Sequence, residues 1–320
     1  MSHHVTQMAY TNTTPWHSLG TKLLPNQPIE VWQREAGLDF LIKESPVLFN
    51  TVNGNTSLST IKANYDNKVL YRSDSHEALS VVSSRYQVVQ PQEIMDFYRE
   101  LIAVGKFEME TAGVLKSGRK IWALARTGQE TLLRGGDRVK NYLLLATSCD
   151  GSLATTATFT SVRVVCNNTL QVALNNSSGQ VKVPHRTTFD PIAVKEELGL
   201  GITAWDRFQV KMNELTRRPV TKFEATSYFL QVLGDPERPI NEQPNQRAIE
   251  NVQRLFHGQG MGSTLLSAKD TAFGLLNAVT EHVDHHRRAR SKDYRLDSAW
   301  FGIGAAIKER AWHKALELTD

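Results

Sequence analysis

The chain has 320 residues, of which 40% are hydrophobic and 22% charged, and its formal net charge is +4. That length allows one large domain or two modest ones, and the composition is that of a folded protein rather than a disordered one. No apolar stretch approaches the ~18–20 residues of a membrane span, and the N-terminus lacks the basic start and apolar core of a signal peptide, so we expect a cytoplasmic protein without a membrane partner.

Strand patterns and one clear helix are predicted for the first third of the chain. A short helix is predicted over residues 29–36. Residues 46–90 contain short β-strand patterns separated by turn signals, including a hairpin signal at Asn53-Gly54. A helix is then predicted over residues 91–104, because it opens with a proline and its apolar residues recur at helical spacing.

Two antiparallel hairpins are predicted next. The first covers residues 106–128 and turns at Ser117-Gly118, and the second covers residues 139–165 and turns at Asp150-Gly151. The last of these strands is rich in threonine and valine in strict alternation, which is typical of a β-strand. The Asn167-Asn168 pair then offers N-caps for a helix that would close this unit.

The remainder of the chain is predicted to be helical from about residue 191. Periodicity predicts helices over residues 191–217, 221–233, 245–257, 269–289 and 296–317. The polar segment before them is the stretch most similar to a linker. The predicted fold is therefore α+β, with an antiparallel sheet and packed helices in the N-terminal two-thirds and a mostly helical C-terminal part. We place an α+β core domain at 1–180 and a helical C-terminal region at 181–320.

Basic residues are concentrated between Lys116 and Lys140. This segment contains seven basic residues and only two acidic ones, Glu130 and Asp137. A ribbon of this charge can follow a phosphate backbone without reading sequence. The opposing interpretation is a solvated edge that discourages aggregation. Trp122 is either a platform on which bases stack or, as we favour, a core residue. The candidate nucleic-acid-binding residues are Arg119, Lys120, Arg126, Arg134, Arg138, Lys140 and Arg163.

Arg163 is included although it lies on a largely apolar strand, on the face shared by Phe159 and Val165. One interpretation is structural, since a buried arginine needs carboxylate or carbonyl partners to offset its desolvation. The other is a phosphate contact beside the N-terminus of the predicted helix at Asn167-Asn168, where free N–H groups favour anions. The sequence leaves both interpretations open.

Motifs for catalysis are weak. His282 and His286 lie four residues apart and so share a helix face, a spacing that holds a metal when a third ligand joins the pair and is otherwise typical of a solvated helix. Cys149 and Cys166 form no zinc-binding pattern, and glycine-rich phosphate loops are absent. We therefore assign no catalytic residue, no metal ligand and no cofactor, and we do not expect an enzyme.

Several stretches, in order along nearly the whole chain, carry a family resemblance. They are TPWHSLGTKL, SRYQVVQPQEIMDFYREL, SCDGSLATTATFTSVRVVCNNTL, and LLNAVTEHVDHHRR followed by SAWFGIGAAIKERA. Together they resemble the phage/plasmid-like proteins of unknown function known as domain of unknown function 932. The resemblance implies a phage, prophage or plasmid origin, and it carries over no enzyme activity.

A second resemblance is one of pattern. The predicted helix over residues 91–104, the paired strands after it and a closing helix are similar to the core of phage single-strand annealing proteins. That resemblance implies single-stranded DNA held in a basic groove, self-association into a ring or filament, and no requirement for ATP. The basic segment and the absence of nucleotide motifs agree with it.

Three hypotheses about function follow. The leading one is an ATP-independent phage or plasmid protein that binds and anneals single-stranded DNA in recombination. The alternative is a protein-binding accessory or counter-defence factor that uses the helical C-terminal region as its interface. A metal-dependent nuclease ranks last, because it needs clustered carboxylates on a sheet and the predicted core strands at 119–128, 141–149 and 154–166 contain none.

Overall fold

A computed structural model describes residues 7–12, 20–52, 59–103, 107–165, 168–171, 180–199, 201–235 and 238–319. Its strands are β1 (Met8–Tyr10), β2 (Thr21–Lys22), β3 (Ile42–Val52), β4 (Ser59–Arg72), β5 (Ala78–Ser83), β6 (Glu108–Leu115), β7 (Lys120–Leu133), β8 (Asp137–Ser148), β9 (Thr155–Arg163), β10 (Asn168–Gln171) and β11 (Gln180–Val183). Its helices are α1 (Ile29–Glu35), α2 (Pro91–Ala103), α3 (Pro191–Gly199), α4 (Gly201–Arg217), α5 (Lys222–Leu233), α6 (Gln246–Arg254), α7 (Ala272–Glu281), α8 (Lys292–Phe301) and α9 (Ile303–Leu316). The predicted turn at Asn53-Gly54, together with Cys166 and Asn167, lies outside the described residues.

A large sheet organises the chain in the order β10-β9-β8-β7-β6-β1-β2, and β11 also pairs with β9. Strands β6 to β9 form a meander in which each strand is antiparallel to the next. Alternating apolar and β-branched residues separated by short turns are the pattern that produces such a meander. The predicted α+β fold, with its mainly antiparallel sheet and helical C-terminal part, is confirmed.

Helices cover both faces of this sheet. Residues 120–125 of β7 are all buried, and consecutive strand residues point to opposite faces, so neither face is open to solvent here. Trp122 packs edge-on against Trp300 of α8, with 4.9 Å between ring centroids, which confirms that Trp122 is a core residue. The hydroxyl of Tyr98 in α2 lies 2.9 Å from carbonyl oxygens of both β7 and β8.

The chain after β9 differs from its prediction. Asn168–Gln171 is a strand, β10, paired antiparallel with β9 so that Asn168 lies opposite Arg163. The predicted helix starting at Asn167-Asn168 is therefore wrong for the described residues. The physical reason is long-range hydrogen bonding: the Asn168 amide donates to the Thr280 hydroxyl at 3.1 Å, and the Thr169 N–H donates to Asp284 at 2.8 Å. These bonds bind the segment to α7 and the turn that follows it, instead of capping a helix.

The C-terminal helices follow the predicted order with shifted ends. The helix predicted over 191–217 is divided into α3 and α4, and the last one begins earlier, at Lys292, where the Ser291 hydroxyl caps the N–H of Tyr294. Gly302 then separates α8 from α9. Two helices end in π-helical turns, α6 over Leu255–Gln259 and α7 over His282–His286. Within the described ranges, no helix combines the length and apolar character needed to cross a bilayer.

One hydrophobic core joins the sheet to the C-terminal helices, from Leu143 of β8 to Trp312 of α9. Buried polar contacts also cross between them. The Lys308 ammonium of α9 lies 2.8 Å from the Asp284 carboxylate and 2.8 Å from the Thr169 hydroxyl of β10. The predicted boundary at residue 180 thus separates two regions that share this core.

Candidate nucleic-acid interface

Five of the seven candidate basic residues lie in two groups at opposite ends of β7, while Arg126 lies in the middle of β7 and Arg163 at the end of β9. Arg119 and Lys120 lie where β7 begins. Arg134, Arg138 and Lys140 lie at the opposite end, around the turn into β8. Since a strand advances about 3.3 Å per residue, the two groups are roughly 40 Å apart. A single phosphate path along the hairpin would have to span that distance.

Acidic partners within the chain neutralise several of these charges. Lys120 is buried, and its ammonium lies 2.5 Å from Asp297, which also pairs with Lys116 at 2.6 Å. The guanidinium of Arg126 lies 3.2 Å from the carboxylates of two glutamates of β6. Burial raises the pKa of one of them, Glu110, and the charge of Arg126 opposes that shift. These cations are already paired with carboxylates of the chain, so they attract a nucleic acid much less than unpaired cations would.

The exposed members of the set are Arg119, Arg134 and Arg138, and Lys140 is half-buried. Arg138 forms an exposed pair with Glu130 at 3.4 Å, of a kind that contributes about 0–1 kcal/mol. The guanidinium of Arg134 donates to the Thr216 carbonyl at 2.9 Å, near the C-terminus of α4, where a cation is favoured. The set therefore contributes scattered cations and no common groove.

Arg163 is enclosed, with 3% of its side chain exposed, and its guanidinium lies 2.7 Å from the carboxylate of Asp137. It also donates to the carbonyl oxygens of Met261 and Gly262, at 3.3 and 3.0 Å. The ring of Phe273 lies 5.3 Å from the guanidinium. These contacts match the interpretation of Arg163 as a buried structural arginine. The alternative, a phosphate contact, required a helix N-terminus beside Arg163, and the structure has the strand β10 there instead. Arg163, like Lys120, therefore leaves the candidate interface.

A different surface gathers cations without a carboxylate partner among the described residues. It is a groove of about 830 Å³ between α6 and the turn after α7, and we define the cationic groove by its arginines, Arg247, Arg254, Arg287 and Arg288. Two of them bond to neutral groups: Arg254 to the Asn251 side chain at 3.3 Å and Arg287 to the Ser298 hydroxyl at 2.8 Å. No Asp or Glu is among the described residues that line the groove.

Helical spacing and a helix end bring these four arginines together. Arg247 and Arg254 are seven residues apart in α6, and residues at that spacing lie on one helix face. Arg287 and Arg288 follow the π-helical turn that ends α7, where the N–H of Arg287 donates to the His282 carbonyl at 2.7 Å. Each pair is visible in the sequence, but no local pattern reports that α6 lies against the end of α7. Sequence reasoning therefore missed this groove.

The two histidines considered as metal ligands lie at the cationic groove. His282 is 8% exposed, and its Nδ1 lies 2.9 Å from the side-chain nitrogen of Asn251. The Nε2 of His286 lies 3.6 Å from the carboxylate of Glu281, which also accepts the N–H of Met261 at 2.9 Å. In the part of the chain that the structure describes, no three His, Cys, Asp or Glu residues form a group able to hold a metal ion.

Acidification is expected to destabilise the protein through His282. Burial, with smaller contributions from His286 and Arg287, lowers the pKa of His282 from 6.5 to about 4. Between these two pH values the unfolded chain binds a proton that the folded chain does not, so the free energy of unfolding falls as the pH falls. The loss from this group reaches up to about 3 kcal/mol at pH 4. Urea unfolding at a series of pH values between about 7 and 4 measures it.

The control is His282→Gln, which can still bond to Asn251 but does not titrate. Its free energy of unfolding should change less over the same pH range, by about the amount assigned to His282. An equal pH dependence in the two proteins would contradict the assignment.

Comparison with known proteins identifies a family. The family model of a domain of unknown function, DUF932, matches residues 78–300, more than two thirds of the chain. No curated protein and no solved structure matches. The matched range runs from the start of β5 almost to the end of α8, so it includes the meander, the Arg163–Asp137 pair and the whole cationic groove. The chain therefore belongs to the family of domain of unknown function DUF932, as its sequence stretches predicted.

Proposed function

We propose that the protein binds single-stranded nucleic acid in the cationic groove and promotes annealing without ATP. The observation that carries this proposal is the groove itself, in which four arginines face one cavity without a carboxylate partner among the described residues. Close cations repel one another, and a polyanion in the groove would relieve that repulsion. Arginine also suits this ligand, because its planar fork binds a phosphate through two parallel hydrogen bonds.

The other lining groups support a sequence-independent mode of binding. The amides of Asn245 and Gln246 also line the groove, and each already donates one hydrogen bond within the chain, to the Leu233 carbonyl at 2.8 Å and to Glu250 at 2.9 Å. No Phe, Tyr or Trp is among the described lining residues, so the groove has no ring of those types on which bases could stack. Contacts would therefore go to phosphates, which give affinity and position without reading bases.

Two of the originally predicted basic residues, Arg134 and Arg138, lie at the same end of the sheet as the groove. The carbonyl of Arg138 accepts the N–H of Val164, directly after β9. The Met261–Gly262 loop contacts Arg163 at this end of β9 and bonds to Glu281 beside the groove. A nucleic-acid strand that extends from the groove toward the β7–β8 turn would therefore contact Arg134 and Arg138 next.

Affinity for a single-stranded oligonucleotide is expected to fall steeply with salt. Each phosphate contact contributes a slope of roughly −0.7 in a plot of log affinity against log salt, so four contacts predict about −2.8. Arg247→Ala combined with Arg288→Ala should weaken binding and make the slope shallower by about 1.4. Fluorescence anisotropy of a labelled oligonucleotide between about 50 and 200 mM salt measures both quantities.

The matched control removes two exposed positive charges elsewhere, with Arg207→Ala combined with Lys222→Ala, and should leave the affinity and slope nearly unchanged. A flat salt response, no binding at low salt, or an equal loss in the control would each overturn the proposal. Annealing of complementary strands is followed in parallel, and it should proceed without nucleotide and in the presence of a chelator. Annealing that requires ATP would contradict this part of the proposal.

A second candidate function, protein binding, is favoured by the β3–β4 hairpin. Leu48, Ile61 and Tyr65 are 59%, 65% and 84% exposed on this hairpin. The register pairs Leu48 with Ala63 and Asn50 with Ile61, so alternation places Leu48 and Ile61 on one face, and Tyr65 follows in the irregular part of β4 where the register shifts. That apolar face suits an accessory factor that docks on another protein. Self-association and a phage or plasmid origin stay predictions.

A further inference from the structure

A second cleft, of about 710 Å³, lies at the other end of β9 from the cationic groove. Its walls come from three segments: residues 83–86 at the end of β5 and just after it, residues 151–154 between β8 and β9, and residues 184–186 after β11. Ala154 directly precedes β9, whereas Arg163 at the far end of β9 contacts the loop beside the groove. The length of the strand separates the two sites by roughly 25 Å.

One wall of this cleft is a stacked pair of rings, those of Tyr86 and His185. Their centroids are 4.4 Å apart, and their planes are inclined by 20°. The Tyr86 hydroxyl donates to the Ser148 carbonyl at 2.7 Å, and the Nε2 of His185 lies 2.8 Å from the Leu153 carbonyl. Each ring covers one face of the other, so the part of the pair left for a ligand is its outer surface. Since backbone groups hold both rings without a ligand, this aromatic wall is pre-organised, and binding need not first order it.

Two exposed arginines, Arg85 and Arg186, also line the cleft, and neither has a hydrogen bond or ion pair to another described residue. No Asp or Glu is among the described lining residues. The acid next to the cleft in sequence, Asp150, accepts the N–H of Ser152 at 3.0 Å within its own turn. The cleft therefore presents two unneutralised guanidinium groups beside a flat aromatic wall.

We propose that this cleft binds the phosphate of a nucleotide, with Arg85 and Arg186 on the phosphate and the Tyr86–His185 wall against the base or sugar. Guanidinium groups recognise a phosphate through paired, charge-assisted hydrogen bonds. Aromatic rings provide the flat apolar contact that a base needs and that inorganic phosphate cannot use. The volume lies within the range of small-molecule sites. The ligand is either a free mononucleotide or the 5′-phosphorylated end of a strand, and the site does not depend on the cationic groove.

The first test titrates the full chain with deoxyadenosine 5′-monophosphate in a calorimeter at low salt. Saturable binding is expected, and deoxyadenosine and inorganic phosphate should each bind at least about tenfold more weakly, because each lacks one half of the contacts. Arg85→Ala and Arg186→Ala should each weaken nucleotide binding by about tenfold or more. Arg207→Ala removes an exposed arginine outside the cleft and should change nothing.

His185→Ala tests the wall separately from the charges. This variant should reduce the preference for the nucleotide over inorganic phosphate and leave the affinity for inorganic phosphate nearly unchanged. Thermal melting of each variant shows whether it is folded, and both arginines are exposed, so their replacement should leave melting unchanged. An unaltered preference in folded His185→Ala would overturn the role of the wall.

A pair of short oligonucleotides, with and without a 5′-phosphate, distinguishes the two sources of the ligand. If strand ends bind here, the phosphate raises the affinity, and Arg85→Ala with Arg186→Ala removes that increase. If only the free nucleotide binds, the two oligonucleotides behave alike while the mononucleotide still binds. Undetectable mononucleotide binding, or equal binding by the Arg85→Ala/Arg186→Ala protein, would overturn the proposal.

The experiments distinguish an error in this inference from an error in the proposed function of the cationic groove. Arg247→Ala with Arg288→Ala should leave mononucleotide binding unchanged even where it weakens oligonucleotide binding. Loss of mononucleotide binding in that groove variant would place the nucleotide in the cationic groove and overturn the inference.

Discussion

Arg163→Ala is expected to reduce the free energy of unfolding by about 3–5 kcal/mol, the range for breaking a buried ion pair by removing one partner. The carboxylate of Asp137 is fully buried, and after the substitution it would keep the Ser267 hydroxyl, 2.6 Å away, but would lose its counter-charge. The carbonyl oxygens of Met261 and Gly262 would lose a donor as well. Since folded domains are stable by only about 5–15 kcal/mol, urea unfolding should show a large shift of the midpoint.

Two variants define the limits of this experiment. Arg138→Ala breaks the exposed pair with Glu130 and should cost only about 0–1 kcal/mol, although it also removes one arginine from this part of the sheet. Arg163→Met combined with Asp137→Leu removes both buried charges and should recover much of the lost stability. A loss below about 1 kcal/mol in Arg163→Ala would show that the pair is not desolvated as the structure describes.

Asp284→Ala is expected to have an effect of similar size, about 3–5 kcal/mol at neutral pH, because it leaves the Lys308 ammonium buried without a counter-charge. Burial already lowers the pKa of Lys308, and Asp284 opposes that shift. In the variant the pKa of Lys308 should fall further. The unfolded chain then binds a proton that the folded chain does not, so the stability of the variant should rise with pH above neutrality. Urea unfolding at a series of pH values from about 7 to 9 measures this rise.

The matched control for this pair is on the same helix. Lys314→Ala breaks an exposed pair with Glu317 and should cost only about 0–1 kcal/mol. Lys308→Met combined with Asp284→Leu replaces the buried charges with apolar side chains and should be far more stable than Asp284→Ala alone. If Asp284→Ala proves no more harmful than Lys314→Ala, the buried pair is not a major stabilising contact.

The sequence by itself determined the local elements of this protein, because their signals lie within a few residues. Proline and helical spacing predicted α2, and alternating residues between short turns predicted the β6–β9 meander. At α5, Thr221 and Glu224 form a capping box, which is readable from the spacing of the two residues alone. The interactions that specify each of these elements involve the backbone and near neighbours in sequence. A window of about ten to fifteen residues therefore contains all of them.

Only the tertiary structure decided which charges are available to a ligand. Asp297 lies 177 residues from Lys120 and neutralises it, so counting basic residues in one segment overestimated its free charge. Asp137 was visible inside that segment, but its partner is Arg163 on another strand. A charge is neutralised by whatever lies within a few ångströms of it in the fold, and distance along the chain does not report that proximity.

The same reason explains the segment after β9 and the cationic groove. Asn168 has a good residue type for a helix cap, yet hydrogen bonds to α7, more than a hundred residues away, make it part of a strand. Arg247 and Arg288 lie 41 positions apart in the sequence, and they meet because the buried faces of α6 and α7 pack together. Local periodicity specifies that a helix has a buried face, whereas the partner of that face depends on the packing of the whole core.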